Sequence, residues 1–233
     1  MTTEASSNLG PVGTAYASTR HRISDLVADP ATGDAARTVP CCPAWSVHDV
    51  VAHLAGVVDD VLAGRLDGVA TDPWTAAQVE LRRGRPLAEV VDEWNALAPQ
   101  FEQFLDSVGP PGAQAVADIV THEHDIRQAL GSPGARDSDA LAIGLDFIAP
   151  GLRESARQRG IAPPGLRTPD GRAWLEPGDG ASVTATAFEL VRASTGRRSV
   201  AQLRALDWQG DVEAVLPAFT FGPFVPAALD IVE

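Results

Sequence analysis

The chain contains no lysine, and all eighteen of its basic residues are arginine. Without a lysine amine there is no internal Schiff base, no phosphate-loop lysine and no kinase-type Lys–Glu pair, so three large enzyme classes fall away. Lysine codons are A/T-rich, and their absence beside abundant Ala, Gly, Arg and Pro points to a high-GC source. Cysteine is scarce as well. Cys41 and Cys42 are the two, adjacent in sequence, and neighbours rarely meet disulfide geometry, which fits a reduced compartment. A Cys-x-x-Cys pair is missing, so neither a thiol zinc knuckle nor a thioredoxin-like motif is available. No Gly-rich dinucleotide fingerprint is visible. No stretch approaches the roughly 20 apolar residues of a membrane span, and the opening MTTEASSNLG lacks the basic-then-apolar layout of a signal peptide. The reading is a cytoplasmic protein with no membrane partner. Positive charge is short too: thirty-one acidic residues give a formal charge of −13, which repels phosphate backbones and excludes nucleic acid as a partner.

What is present is a 233-residue chain of ordinary apolar content, 45%, enough for one sizeable core or two modest ones. Tyr16, Ile23, Leu26 and Val27 are spaced for a helix over 12–28 that ends near Asp29-Pro30. Ser46 three before Asp49 has the form of a capping box, and Val47, Val50, Val51, Leu54, Val58, Val61 and Leu62 continue as one apolar stripe to about Arg65. Asp72-Pro73 offers a cap and a first-turn proline for a short helix through Arg83. Pro86 opens another, with Leu87, Val90, Trp94, Leu97, Phe101 and Leu105 in register. Gly-Pro-Pro-Gly at 109–112 breaks it, a further helix runs from Ala113 to Leu130, and Gly131 and Pro133 stop that one. Asp137 or Ser138 caps the last, with Leu141, Leu145, Ile148 and Leu152 along it. Residues 1–160 therefore read as an antiparallel bundle of four main helices plus an extra one.

From 161 to 233 the pattern changes. Pro-Asp-Gly at 169–171 and Pro-Gly-Asp-Gly at 177–180 are turn chemistry between short strands at 166–168, 173–176 and 181–184. A helix through Phe188, Leu190 and Val191 ends at Gly196, and another opens at Ser199. The fold class is thus α+β, mainly α, a bundle followed by a small α+β domain. The five tryptophans, Trp45, Trp74, Trp94, Trp174 and Trp208, read as core or interdomain anchors.

Two of the five histidines need a reason for their setting. His53 is flanked by Val50, Val51, Leu54 and Val57, where a polar side chain is out of place. His122 lies in an apolar-rich helix with Asp118 at i−4, a spacing that puts carboxylate and imidazole on one face. A His from one helix and an Asp-x-x-x-His pair from another supply three metal ligands in a bundle core, with a coordination position left open. Such pairs also occur as plain surface hydrogen bonds, which is the alternative. Asp49, four before His53, is explained by its capping box. Asp125, three after His122, either orients a ligand or bonds a neighbouring helix. His124 points about 200° around the helix from His122 and faces elsewhere. Cys42 is read as a packing residue, not a nucleophile.

The run Cys42-Pro43-Ala44-Trp45-Ser46-Val47-His48-Asp49-Val50-Val51-Ala52-His53-Leu54-Ala55-Gly56 resembles the signature segment of the mycothiol-dependent maleylpyruvate isomerase family, whose metal-binding domain belongs to the DinB-like helical bundles. His122-x-x-Asp125-Ile126-Arg127-x-Ala129-Leu130-Gly131 is similar to that family's second motif, in which a Glu four before the His completes the site; Asp118 stands there, one methylene shorter. Phe188 to Ser199 and Trp208-x-Gly210-Asp211 are similar to its C-terminal segment. The resemblance implies a DinB-like bundle joined to a sterol-carrier-like domain, metal ligation by His53, Asp118 and His122, and mycothiol as cosubstrate, a thiol of high-GC actinobacteria.

On this reading a divalent metal, with Zn²⁺ the expectation for nitrogen and carboxylate donors, activates a thiol toward a small electrophilic substrate, in an isomerase or an S-transferase. Arg197 is the candidate for holding a substrate carboxylate bidentately, against an ordinary charge near a helix C-terminus. Two alternatives stand: a thiol-independent metal hydrolase, lyase or cyclase, and a non-catalytic binding module with a relic site.

Overall fold

The computed structural model describes residues 9–29 and 33–233. The polar lead over 1–8, and Pro30, expected to close the first helix, lie outside them. Helix α1 spans Pro11–Ala28. A hairpin follows, β1 Thr38–Val39 antiparallel to β2 Cys42–Ser46. Then come α2 Val47–Leu62, α3 Asp72–Arg82, α4 Leu87–Leu105, α5 Pro110–Leu130 and α6 Asp139–Arg159. The capping box is formed as read: Ser46 N donates to Asp49 at 2.9 Å and Asp49 N donates back to Ser46 Oγ at 3.2 Å, an arrangement that stabilises the helix start by about 1 kcal/mol.

Two boundaries differ from the sequence reading. Helix α4 ends at Leu105, four residues short of Gly109, and Pro110 and Pro111 begin α5 rather than delaying it to Ala113, because a missing N–H costs nothing in a first turn. The residue preceding α3 is Thr71, with Asp72 already helical.

Helices α1, α2, α4, α5 and α6 pack around a core that includes Tyr16, Ile23, Leu54, Trp94, Phe101, Ile119, Ile126 and Leu141, each 1% exposed or less. Trp94 Nε1 donates to Tyr16 Oη at 3.3 Å, so the largest buried ring keeps its polar atom satisfied. A buried ion pair, Arg20 to Glu102 at 2.8 Å, ties α1 to α4. Helix α3 lies on the outside of α2 at a point where Gly56 removes the obstacle of a side chain: a Cβ there would stand 2.4 Å from Gln78 Cβ. Arg82, 1% exposed, bridges Asp59 of α2 and Glu93 of α4.

Beyond α6 the chain forms β3 Gly165–Arg167, β4 Ala173–Leu175, β5 Ser182–Thr184, α7 Ala187–Ser194, α8 Val200–Arg204, β6 Asp207–Gln209 and α9 Val212–Val215, which runs into a 3₁₀ turn over Leu216–Phe219. The sheet order is β4-β3-β5-β6, with β3 and β5 parallel and the outer pairs antiparallel. The three strands read from the turns are present within a residue or so; β6, α9 and the β1–β2 hairpin were not read. The sheet and α7 pack on α6. Trp174 anchors the contact by donating to Ala142 O at 3.2 Å and Asp146 Oδ1 at 2.9 Å. One continuous apolar cluster runs from the bundle through Leu166, Val183, Phe188 and Phe219. The observed fold is the mainly α, α+β arrangement read from the sequence.

Candidate metal centre

His53 projects from the middle of α2, and Asp118 and His122 project one turn apart from α5. The two imidazoles meet on the same carboxylate: His53 Nε2 is 3.4 Å from Asp118 Oδ2, and His122 Nε2 is 3.6 Å from Asp118 Oδ1. Donor atoms bonded to one tetrahedral Zn²⁺ at ~2.0–2.1 Å lie about 3.3 Å apart along each edge. One ligand atom from each residue lies within 4.8 Å of the others. The side chains of His53 and His122 are 7% and 11% exposed and that of Asp118 is 34% exposed, so the cluster opens to solvent on the carboxylate side.

Each imidazole has a polar oxygen behind its other nitrogen. His53 Nδ1 is 2.8 Å from Gln78 Oε1 on α3. His122 Nδ1 is 3.2 Å from Asp125 Oδ2. Trp45, at the end of β2, walls the pair: its ring stacks on His122 with centroids 6.1 Å apart and planes at 25°, and tilts against His53 at 5.4 Å.

Asp125 is fully buried between two guanidinium groups. Arg192 Nη1 of α7 reaches Oδ1 at 2.7 Å, and Arg197 Nη2 reaches Oδ2 at 2.7 Å. Gly196, at φ 76°, turns the chain after α7 so that Arg197 faces back to α5. Burial works to raise the Asp125 carboxyl, but Arg197 and Arg192, with His122, hold it well below the usual carboxylate range. Arg192 is further paired with Glu233.

The charges of the cluster itself are coupled. Burial works to lower His53, and the Asp118 charge with hydrogen bonds to Asp118 and Gln78 outweighs it, so His53 is raised. Asp118 is lowered in turn, its burial overcome by His53, then His122 and Arg197. A proton on His53 thus sits where positive charge is favoured, the place a cation would take.

A second group, Cys42, His122 and Asp125, also has ligand atoms within 4.8 Å of one another. Two guanidinium groups already neutralise it, with Arg197 Nη2 3.6 Å from Cys42 Sγ, and a further cation is electrostatically opposed there. Burial pushes the Cys41 thiol up to about 12 and raises Cys42 as well.

Of the residues singled out from sequence, His53, Asp118, His122 and Asp125 come together. Arg197 joins them, but its donors are engaged: Nε and Nη2 on Asp125 and Nη1 on Thr195 O at 2.7 Å. His124 faces elsewhere as expected, edge-on to Phe188 at 4.7 Å; His48 instead meets Arg85 O at 2.8 Å. The residues not found from sequence are Gln78, Arg192 and the walling role of Trp45. An arginine among Phe188, Leu190 and Val191 was a legible signal for Arg192, since a buried charge requires a partner. For Gln78, in a short polar helix, there was none. Among the described residues no helix is long and apolar enough to cross a membrane.

Residues 16–122 match the family model described as mycothiol maleylpyruvate isomerase N-terminal domain. Two solved structures share the fold over 92% of this chain and 99% of theirs, both at 13% identity. One is a mycothiol-dependent maleylpyruvate isomerase at a TM-score of 0.55, and the other is a histidine-to-alanine mutant of a mycothiol-dependent maleylpyruvate isomerase at 0.59. No curated protein matches the chain.

Proposed function

We propose, from the premise that residues 16–122 belong to the mycothiol maleylpyruvate isomerase N-terminal domain family, that this chain is a metal- and thiol-dependent enzyme acting on a small electrophilic metabolite. The observation that carries the reading is the convergence of two Nε2 atoms and one carboxylate at 3.4 and 3.6 Å, with Gln78 Oε1 behind His53 and the Asp125 carboxylate behind His122. His53, His122 and Asp118 would hold a divalent cation, and a set of two nitrogens and one carboxylate suits Zn²⁺. When bound, the cation supplies the positive charge that lowers the pKa of a thiol brought to it.

The chain's own residues set the remaining terms. Asp125, its Oδ2 3.2 Å from His122 Nδ1, sets a negative charge behind that ring. Arg192 and Arg197 keep Asp125 ionised and aimed, and residues 161–233 act as a second domain that closes the site from behind. Trp45 covers one side with an apolar ring, while the exposed flank of Asp118 leaves an approach for thiol and substrate. The thiol expected is mycothiol. A thiol that adds to a conjugated double bond and departs after rotation isomerises it; one that stays makes the enzyme an S-transferase.

The test is metal analysis of the purified protein combined with turnover of conjugated dicarbonyl acids with and without mycothiol. A stoichiometric ion and turnover only with thiol are the expected results. Equal turnover without thiol overturns the thiol requirement, and protein that takes up no ion under any condition overturns the metal.

A further inference from the structure

Resting on that reading, we infer that Gln78 is a positioning residue: it and Asp60 together dictate which nitrogen of His53 faces the metal centre. The relay starts at a carboxylate. Asp60 Oδ1 accepts from Arg65 Nε at 2.7 Å, and Asp60 Oδ2 lies 2.7 Å from the Gln78 amide nitrogen. A carboxylate paired with arginine offers acceptors alone. The Gln78 amide must therefore turn its NH₂ to Asp60, which leaves Oε1 facing His53 Nδ1 at 2.8 Å. Nδ1 then has to carry a hydrogen, so a cation that displaces the proton Nε2 shares with Asp118 meets the Nε2 lone pair.

The opposite orientation fails at Asp60 and leaves the wrong nitrogen of His53 bare for a metal. A flipped amide would set its oxygen against the Asp60 carboxylate, and it would require a bare Nδ1, placing the hydrogen on Nε2 at the cluster.

The packing of α3 is built for this reach. Gly56 lies three residues after His53 on α2, and its lack of a side chain lets Gln78 Cβ come within 2.4 Å of where a Cβ would stand. Gln78 is 2% exposed.

The experiment is Gln78→Met, which keeps the length and volume of the side chain and removes the acceptor. Two readouts are taken. The first is the imidazole nitrogen shifts of His53 in metal-free protein above its titration range, where Gln78 and Asp118 compete for the one hydrogen and the Nδ1–H form is more populated in wild type than in the variant, which shifts toward Nε2. The second is Zn²⁺ affinity by chelator competition, expected to fall about 10–100-fold in the variant, with circular dichroism confirming the fold. Unchanged tautomer in the variant overturns the relay, whatever happens to affinity, and a changed tautomer with unchanged affinity overturns its role at the metal. Should wild type itself bind no Zn²⁺, the metal reading fails while the tautomer still decides on the relay.

Discussion

Arg197 closes on Asp125 with two prongs, Nε 3.3 Å from Oδ1 and Nη2 2.7 Å from Oδ2. The contact joins the segment after α7 to α5 about two turns past Asp118, so the C-terminal part of the chain determines the electrostatics behind His122. Arg192 adds a second buried charge on the same carboxylate. Two cations and one anion without solvent stabilise only as a complete set, because each is costly to bury alone.

Asp125→Asn is therefore expected to destabilise strongly. Removing one partner of a buried ion pair costs about 3–5 kcal/mol, which for a domain this size lowers Tm by roughly 6–20 °C. The sign with pH follows from the depressed carboxyl: its contribution is full above the unfolded value and is lost as pH falls toward the folded one. Scanning calorimetry of wild type from pH 7 to pH 3 should show a fall in Tm that is smaller in the variant. A variant melting with wild type at pH 7 would contradict the arrangement.

His53→Ala and His122→Ala should each abolish stoichiometric Zn²⁺ while leaving most helicity, as both side chains lie at the cluster rather than in the apolar core. Asp118→Glu probes reach. The Asp118 oxygens already stand 3.4 and 3.6 Å from the two imidazoles, close to the tetrahedral edge. An added methylene should weaken binding rather than improve it. Isothermal titration with Zn²⁺ measures this, and tighter binding by the glutamate variant would show that the short acid leaves the centre incomplete.

The sequence carried the bundle and the three convergent residues because their determinants are local. Periodic apolar positions, the Ser46–Asp49 box and the i,i+4 spacing of Asp118 and His122 are all readable within one helix. What remained hidden depends on contacts distant in the chain. Gln78 meets His53 across 25 residues, and Asp125 receives Arg197 across 72. The β1–β2 hairpin escaped because its strands are two and five residues long around Pro40-Cys41 and lack alternation. Strand β6, three residues ending before Gly210, carries too little pattern to be separated from a loop.

Cys41 and Cys42 should behave as poorly reactive thiols in the native protein. Burial, with the Asp125 charge adding to it, pushes Cys41 up to about 12 despite Arg192 and Arg197. At pH 8 alkylation by iodoacetamide should run roughly two to three orders of magnitude slower than for a free cysteine of pKa ~8.5. The raised value fixes the sign of the stability effect: the contribution is full below about 8.5 and declines as pH rises toward about 12, since the unfolded chain releases its proton first. Urea midpoints at pH 8 and pH 10 test the decline. Two thiols that react in the folded protein as fast as in urea would rule out this environment.

Gly56→Ala tests whether the approach of α3 governs the metal centre. Its new Cβ would lie 2.4 Å from Gln78 Cβ and 2.6 Å from Gln78 Cγ, with Arg82 Nη1 at 3.1 Å. The first of these is the stem of a buried side chain, so the helix itself has to retreat, at about 1–3 kcal/mol. Gln78 then withdraws from His53, and Zn²⁺ affinity should fall along with Tm. Combining Gly56→Ala with Gln78→Gly removes the colliding carbon, so the pair should be less destabilising than the sum of the single changes by about 0.5–3 kcal/mol. Affinity should stay low in the double variant, since the acceptor for His53 Nδ1 is still missing. Full additivity of the stabilities, or wild-type affinity in Gly56→Ala, would mean that the close contact between α2 and α3 has no bearing on how His53 is presented.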